Sequence, residues 1–261
     1  MANQSTIDSK NDKPYSAEAA DLLSKIDIHS CRERLKGLSP EDRLRWAADE
    51  FGDKFVLTTS FGIQSAVLLH MLQNINNQNS SKVLWIDTGY LPSETYRYSE
   101  QLEKELNLDL IVIQSDMSPA RMEAIHGKLW ESNSVKDLEK YHFIRKVNPL
   151  EEAFKDLGVI CWASGVRGQQ TKHRSTMTHL DIMRNRLSLR PLLEWTQKEV
   201  YYYMEKNNLP QHPLFKKGFS TVGDWHSSQP DNAEKEGRET RFNGLKQECG
   251  IHLSTESGDN T

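Results

Sequence analysis

An α/β fold, a mostly parallel sheet with helices on both faces, is predicted by three features of the sequence. Short runs rich in β-branched residues recur: Phe55-Val56-Leu57-Thr58-Thr59, Lys82-Val83-Leu84-Trp85-Ile86-Asp87, Leu110-Ile111-Val112-Ile113 and Val159-Ile160-Cys161-Trp162-Ala163. Such near-continuous apolar character marks strands buried on both faces. Segments of helical period separate the runs, so the connections are crossovers and the strands parallel. Ligands of such sheets sit beyond the carboxyl ends of the strands. The loops that follow each run are therefore where chemistry is expected.

In chain order, residues 1–15 are dominated by Asn, Ser, Asp and Lys and are expected to be disordered. Ser16 to Ile28 carries Ala20, Leu23 and Ile26 at helical spacing. Ser39-Pro40-Glu41-Asp42 opens a further helix with a serine cap, a proline in the first turn and acids on the positive dipole end. Leu44, Ala47, Ala48 and Phe51 form its apolar stripe, and Gly52 ends it. The first strand runs into Ser60-Phe61-Gly62-Ile63-Gln64-Ser65 and a helix from Ala66 to Gln73. The second is followed by Thr88-Gly89-Tyr90 and a helix opening at Ser93-Glu94; the fourth ends in Ser164-Gly165-Val166-Arg167. One more helix spans Thr196 to about Asn207. Past His212-Pro213-Leu214-Phe215 the chain turns polar and glycine-punctuated. The expected organisation is one domain over 16–223 and a flexible C-terminal tail over 224–261, with no packed core of its own.

Of 261 residues, 36% are hydrophobic and 27% charged, with a net charge of −4. That balance suits one soluble domain and gives no global signal for nucleic acid. No apolar run approaches the length of a membrane span, and Met1 to Tyr15 lacks a signal peptide's apolar core. Cys31, Cys161 and Cys249 are odd in number and widely spaced, which excludes a disulfide framework and a zinc or iron–sulfur spacing. A reducing cytoplasm is the expected compartment. Charge is unevenly spread: Lys140 to Lys217 holds 14 Lys or Arg against 7 Asp or Glu. A basic band inside an acidic protein suits a multiply charged anion.

Ser60, Phe61, Gly62 and Ser65 make a strand-to-helix turn whose N–H groups and hydroxyls suit phosphate or sulfate oxygens. It lacks the Gly-Lys-Ser/Thr ending of a Walker loop and the Rossmann triple glycine, and a plain capped turn is the other reading. Asp87 and Gly89 end the second strand where a small loop could meet an adenosine. Gly165 and Arg167 end the fourth, with Lys172-His173-Arg174 just beyond, and Arg238 and Arg241 precede the last cysteine. In Lys246-Gln247-Glu248-Cys249-Gly250-Ile251-His252, a lone thiol lies beside a glycine, near Lys246 and His252. Neighbouring cations favour the thiolate, the nucleophilic form. Alone, this motif is equally that of a surface cysteine without a role. Cys161, in an apolar strand, reads as core; His212, before a proline, reads as loop support.

Together these stretches carry a resemblance. Ser60 to Ala66, Trp85 to Gly89, Arg145 to Pro149, Trp162 to Arg167, His212-Pro213-Leu214, Gly218 to Gly223, Thr240-Arg241-Phe242 and Glu248 to His252 stand in the order found in the phosphoadenylyl-sulfate reductases. The chain resembles that family over residues 45–253. The resemblance implies an adenine-nucleotide α-hydrolase-like fold with a mobile C-terminal tail that carries the catalytic cysteine. It implies a reductase of 3′-phosphoadenylyl sulfate that uses Cys249 as nucleophile, with His252 contacting the sulfuryl oxygens or the thiolate, or else packing on the closed tail. Lys146, Arg167, Arg238 and Arg241 would neutralise charge on the leaving phosphate, and Lys172, Arg174 or Lys216 would hold the 3′-phosphate. Thioredoxin or glutaredoxin is the implied electron donor, and a homodimer the implied assembly. A related branch reduces adenylyl sulfate with a four-iron cluster held by four cysteines. Those positions fall here on Tyr141, His142, Asp224 and Ser227, so no iron–sulfur cluster and no other cofactor is expected. ATP-using adenylating enzymes of the same fold carry a different loop, whereas here Gly62 is followed by Ile63 and Gln64.

Overall fold

The run Phe55–Thr59, β1, lies at the centre of a six-stranded sheet. β2 (Lys82–Asp87) pairs with it in parallel on one side, followed by β3 (Leu110–Gln114). On the other side β4 (Cys161–Ser164) is also parallel to β1. Beyond it comes a hairpin formed by β5 (Leu180–Met183) and β6 (Arg186–Leu189), in which β6 is parallel to β4 and β5 is the antiparallel edge. The computed structural model describes residues 23–75, 81–248 and 250–252. The mostly parallel sheet is as expected from the sequence. β5 and β6 were not anticipated: their runs are short, and β6 hides Arg186 and Ser188 among its leucines.

The fourth strand starts at Cys161 rather than Val159: Val159 N–H donates to Phe154 O of the preceding helix (2.9 Å) and is not available to the sheet. The helix expected over Ser16 to Ile28 also differs. Residues 16–22 lie outside the described residues, and the chain breaks its helix at 25–27. There the Asp27 carboxylate accepts from the N–H groups of His29 and Ser30 at 3.0 and 3.2 Å and opens α1 (Ile28–Leu35). An N-cap contributes about 1 kcal/mol, enough to place a boundary that apolar spacing leaves open.

The other expected helices are present. α2 (Pro40–Phe51) is capped by Ser39, whose hydroxyl accepts from Asp42 N–H at 3.0 Å. α3 (Ser65–Asn74) and α4 (Ser93–Leu106) follow β1 and β2. Three shorter helices fill the connection from β3 to β4: α5 (Pro119–His126), α6 (Val135–His142) and α7 (Asn148–Asp156). α6 and α7 are joined by a π-helical turn, Phe143–Val147, which buries Arg145 and Lys146. Such one-turn bulges re-aim side chains and concentrate at functional positions. α8 (Gln197–Lys206) opens with a capping box between Thr196 and Glu199.

Alternation along β1 divides the core. Phe55 and Leu57 pack with Leu44, Ala47, Leu69, Val200 and Met204 on one face, whereas Val56 and Trp162 meet Leu150 and Phe154 of α7 on the other. Each such large side chain, fully buried, contributes about 1.5–3 kcal/mol. Because β2 lies to one side of β1 and β4 to the other, the chain direction of the crossovers switches at the carboxyl ends of β1 and β4. A crevice opens at that switch point.

Candidate active site

Three loops and the C-terminal tail converge on the crevice. It holds a cavity of about 240 Å³, lined by Thr58 and Thr59 of β1, the Ser60 to Ser65 turn, the Ser164 to Arg167 loop and residues 220–223. Lys146, Arg167, Arg174, Arg238, Arg241 and His252 all face it. Of the site residues read from the sequence, Ser60, Gly62, Ser65, Gly165, the five cations and His252 are thus brought together. Cys249 lies outside the described residues.

Phe61, Asp87 and Gly89 do not line the cavity. Phe61 is fully buried with φ +44°, its ring edge-on to Trp85 at 5.0 Å. It anchors the turn in the core and leaves the backbone of its neighbours to the cavity. The Asp87 carboxylate is committed elsewhere: it accepts from Tyr96 O–H (2.6 Å), Gly89 N–H (2.8 Å) and Gln114 Nε2 (2.7 Å). Gly89 has φ +74°, and a Cβ there would stand 2.6 Å from Pro119 Cγ. Both residues shape the loop, and a glycine is required by conformation and by space. Ser65 directs its hydroxyl back to Gly62 O at 2.8 Å, so the turn presents backbone more than that hydroxyl. Lys172 and Lys216, the other candidates for a 3′-phosphate, are exposed and absent from the lining. Arg174, 5% exposed, faces it.

Each cation is held by a partner that sequence reading did not identify. Lys146 Nζ donates to Asp224 Oδ2 at 2.6 Å, and Thr88 O–H to Asp224 Oδ1 at 2.5 Å. Burial pushes the Asp224 carboxyl up, but Lys146 and His226 together with these hydrogen bonds outweigh it and hold the group below the usual carboxylate range. Arg174 grips Glu248 with two parallel bonds of 2.8 Å, Nε to Oε1 and Nη2 to Oε2. Arg238 Nη2 lies 3.5 Å from the same carboxylate. Arg167 bonds Gln64 Oε1, and burial lowers its pKa to about 10. Arg241 packs flat on Gly223, where a Cβ would stand 2.1 Å from Nη1. Arg145, next to Lys146, donates to the carbonyls of Thr88 and Met117 and so holds the loop after β2.

His252 stacks on Trp162 with ring centres 5.4 Å apart and planes 13° from parallel, and its carbonyl accepts from His173 Nε2 at 3.3 Å. Burial, then Arg174, Arg190, Arg238 and Arg184, drives its pKa well below 6.5, so its imidazole is neutral at pH 7. It offers one N–H to an oxyanion and no charge. The residues around Cys249 are pinned as well: Arg184 donates to the carbonyls of Gly250 and Ile251 at 2.5 and 3.0 Å, and Lys246 bonds Glu139 at 2.9 Å. Several described residues of the tail are enclosed. Asp224, Ser227, Thr240, Arg241, Phe242 and Glu248 are all buried.

Tyr141, His142, Asp224 and Ser227 lie close together. His226 Nε2 is 3.0 Å from Tyr141 Oη, Ser227 O–H donates to Asp224 O at 3.0 Å, and His142 lies against Phe242. An aromatic nest of Tyr90, Trp130, Tyr141 and His226 surrounds them. His212, wholly buried, receives Leu214 N–H at 3.1 Å and sits 3.1 Å from Thr95 Oγ1, a loop support as read.

The comparisons with known proteins agree with this geometry. Residues 54–230 match the phosphoadenosine phosphosulfate reductase domain. A phosphoadenosine 5′-phosphosulfate reductase of a Synechococcus species is 54% identical over 211 residues, 80% of this chain and 90% of that one. One from a Synechocystis species is 47% identical over 90% of this chain and 95% of its own. Among solved structures, phosphoadenylyl-sulfate reductase from Candida auris, a phosphate complex, superposes with a TM-score of 0.65 at 28% identity, covering 83% of this chain and 98% of that one. An FMN adenylyltransferase of Candida glabrata, 13% identical with a TM-score of 0.52, shares the fold alone. With the domain match spanning both cavity-lining strand ends and the relatives covering most of the chain, this protein belongs to the phosphoadenosine phosphosulfate reductase family.

Proposed function

We propose that this protein reduces 3′-phosphoadenylyl sulfate to sulfite and adenosine 3′,5′-bisphosphate, in sulfate assimilation and cysteine biosynthesis. The observation that carries the reading is the convergence of Lys146, Arg167, Arg174, Arg238 and Arg241 on one cavity at the β1–β4 switch point, closed by the tail that holds the motif around Cys249. The relatives' names supply the substrate.

In the proposed reaction the Cys249 thiolate attacks the sulfuryl sulfur. An S–S bond forms, the S–O bond to the phosphate breaks, and its electron pair leaves on adenosine 3′,5′-bisphosphate. A thiol of reduced thioredoxin or glutaredoxin then attacks Cys249 sulfur and expels sulfite. The mixed disulfide is resolved by the donor's second thiol, which returns Cys249 reduced and leaves the donor oxidised. Thiolate and sulfuryl oxygens are both anionic, so attack needs cations that take up charge as it moves to the leaving phosphate. The five cations fit that need, and neutral His252 fits a hydrogen-bond donor to a sulfuryl oxygen. No cysteine stands at the four cluster positions, so the proposed chemistry runs on thiols alone, which suits a reducing cytoplasm. Among the described residues no helix is long and apolar enough to cross a membrane. A homodimer belongs to the same proposal, with light scattering as its check.

Intact-mass spectrometry tests the central step. Reduced protein mixed with 3′-phosphoadenylyl sulfate is expected to gain one SO₃ group. Cys249→Ser should gain none, and reduced thioredoxin should remove the adduct with sulfite release. Absence of the adduct in a protein that still binds the nucleotide would refute Cys249 as nucleophile.

A further inference from the structure

The carboxylate of Glu248 occupies cations that the cavity offers to its ligand. Four bonds or close ionic contacts converge on it: Arg174 Nε and Nη2 at 2.8 Å each, Thr171 O–H at 2.9 Å and Arg238 Nη2 at 3.5 Å. Glu248 is 8% exposed and does not itself line the cavity, whereas both arginines do. It therefore stands behind them as a counter-ion. Arg174 spends its Nη1 on Gln170, so most of its N–H groups are already engaged within the protein. Glu248 also directly precedes Cys249, and Arg238 donates to the carbonyl of Gln247 at 3.0 Å. The same two arginines thus hold the tail and face the ligand space.

We infer that Glu248 is a positioning residue with a second effect, an internal anion that ties the cysteine tail to Arg174 and Arg238 and at the same time weakens their hold on nucleotide anions. Tail docking and nucleotide binding draw on one pair of cations, so by linkage each weakens the other by the same factor. A bidentate carboxylate–guanidinium pair removed from water is a strong and geometrically selective interaction. It has two consequences for a thiol reductase. It neutralises the acid beside Cys249, which would otherwise oppose the thiolate. It also keeps a polyanionic product from remaining bound to an uncompensated cation cluster, since the cluster re-forms its internal ion pair as the product leaves. This inference rests on the function proposed above for the ligand's identity, whereas the competition itself concerns any nucleotide anion that reaches the two arginines.

The test compares wild type, Glu248→Asp and Glu248→Gln in two measurements. Calorimetric titration with adenosine 3′,5′-bisphosphate, without turnover, reads the competition. Glu248→Gln keeps the shape and removes the charge; it is expected to bind the bisphosphate about tenfold or more tighter, within the usual span of coupling between sites. Glu248→Asp, too short to span both Arg174 nitrogens, should fall between, about threefold tighter than wild type, and it decides the matter should the glutamine variant fail to fold. Single-turnover mass spectrometry reads the anchoring: formation of the Cys249 adduct should slow in the order wild type, Asp, Gln while affinity rises. A purely structural ion pair would leave bisphosphate affinity unchanged or weakened in both variants, and that result overturns the inference. Failure of the wild type to form any adduct would instead refute the proposed reaction, leaving the order of affinities to be read on its own.

Discussion

Lys146 Nζ and Asp224 Oδ2 lie 2.6 Å apart, one reaching from the π-helical turn of the β3–β4 connection, the other from the start of the C-terminal tail, with Asp224 fully buried. The pair joins the two parts of the chain whose meeting completes the cavity. Removing one partner leaves a charge buried and uncompensated, which costs about 3–5 kcal/mol. Asp224→Asn is therefore expected to lower the free energy of unfolding by about 3 kcal/mol and to reduce kcat/KM, since Lys146 loses its fixed position. Lys146→Met should destabilise similarly. Urea melts of the singles and the double should show the double losing less than the sum, by about 1–3 kcal/mol, as residues in contact do. Additive losses would refute the coupling.

Gly223 leaves the space in which Arg241 lies: a Cβ there would stand 2.1 Å from the guanidinium. Gly223→Ala should displace Arg241 from the cavity. Binding of adenosine 3′,5′-bisphosphate is expected to weaken about tenfold, equivalent to about 1.4 kcal/mol. Stability should move by no more than about 1 kcal/mol, because the obstructed group is the end of a flexible side chain. Titration calorimetry beside a thermal melt checks both halves. An unchanged affinity would mean that Arg241 does not touch the nucleotide.

Acid should destabilise the fold through its buried histidines. Burial lowers the pKa of His212 to about 4, from an ordinary 6.5. Between those values the unfolded chain binds a proton that the folded chain does not, so stability rises with pH across the window. It is lost progressively as pH falls from 6.5 and levels off below 4. The full effect of one such group is about 3 kcal/mol at pH 4. His226 also has its pKa lowered, by burial first, to about 4 and adds in the same direction. His212→Asn, whose amide oxygen can still receive Leu214 N–H, should flatten the decline. Circular-dichroism melts from pH 7 to pH 4 measure it, and parallel slopes for the two proteins would contradict the assignment.

Cys161 is wholly enclosed, and burial alone raises its thiol pKa far above the ordinary value. Iodoacetamide on the native protein should leave Cys161 unlabelled until the chain unfolds. Cys31, partly exposed, is expected to react slowly because burial, then Glu50 and Asp27, raises its pKa. Peptide mapping by mass spectrometry distinguishes the two. Labelling of Cys161 in the folded state would show that the β1–β4 core opens readily.

The amino-acid sequence by itself determined the β-run and helix alternation, the cap at Ser39, the helix from Thr196, and the turn after β1, because these are local: propensity, period and capping act within a few residues. It also marked the cavity's cations, through the basic band and the motifs that carry the family resemblance. Which of those cations are compensated could be decided only by the tertiary structure. Asp224 stands 78 residues from Lys146 and Glu248 stands 74 from Arg174. Nothing in local spacing links such pairs, since Coulomb attraction in a buried site depends on distance in space. The described residues of the tail likewise show little in hydropathy, and Lys246, Glu248, Gly250 and Ile251 make ion pairs and carbonyl contacts that an apolar count does not register. Asp87 and Phe61 lie in the right loops, but they shape the site from behind: burial directs one side chain into the core and hydrogen bonds commit the other.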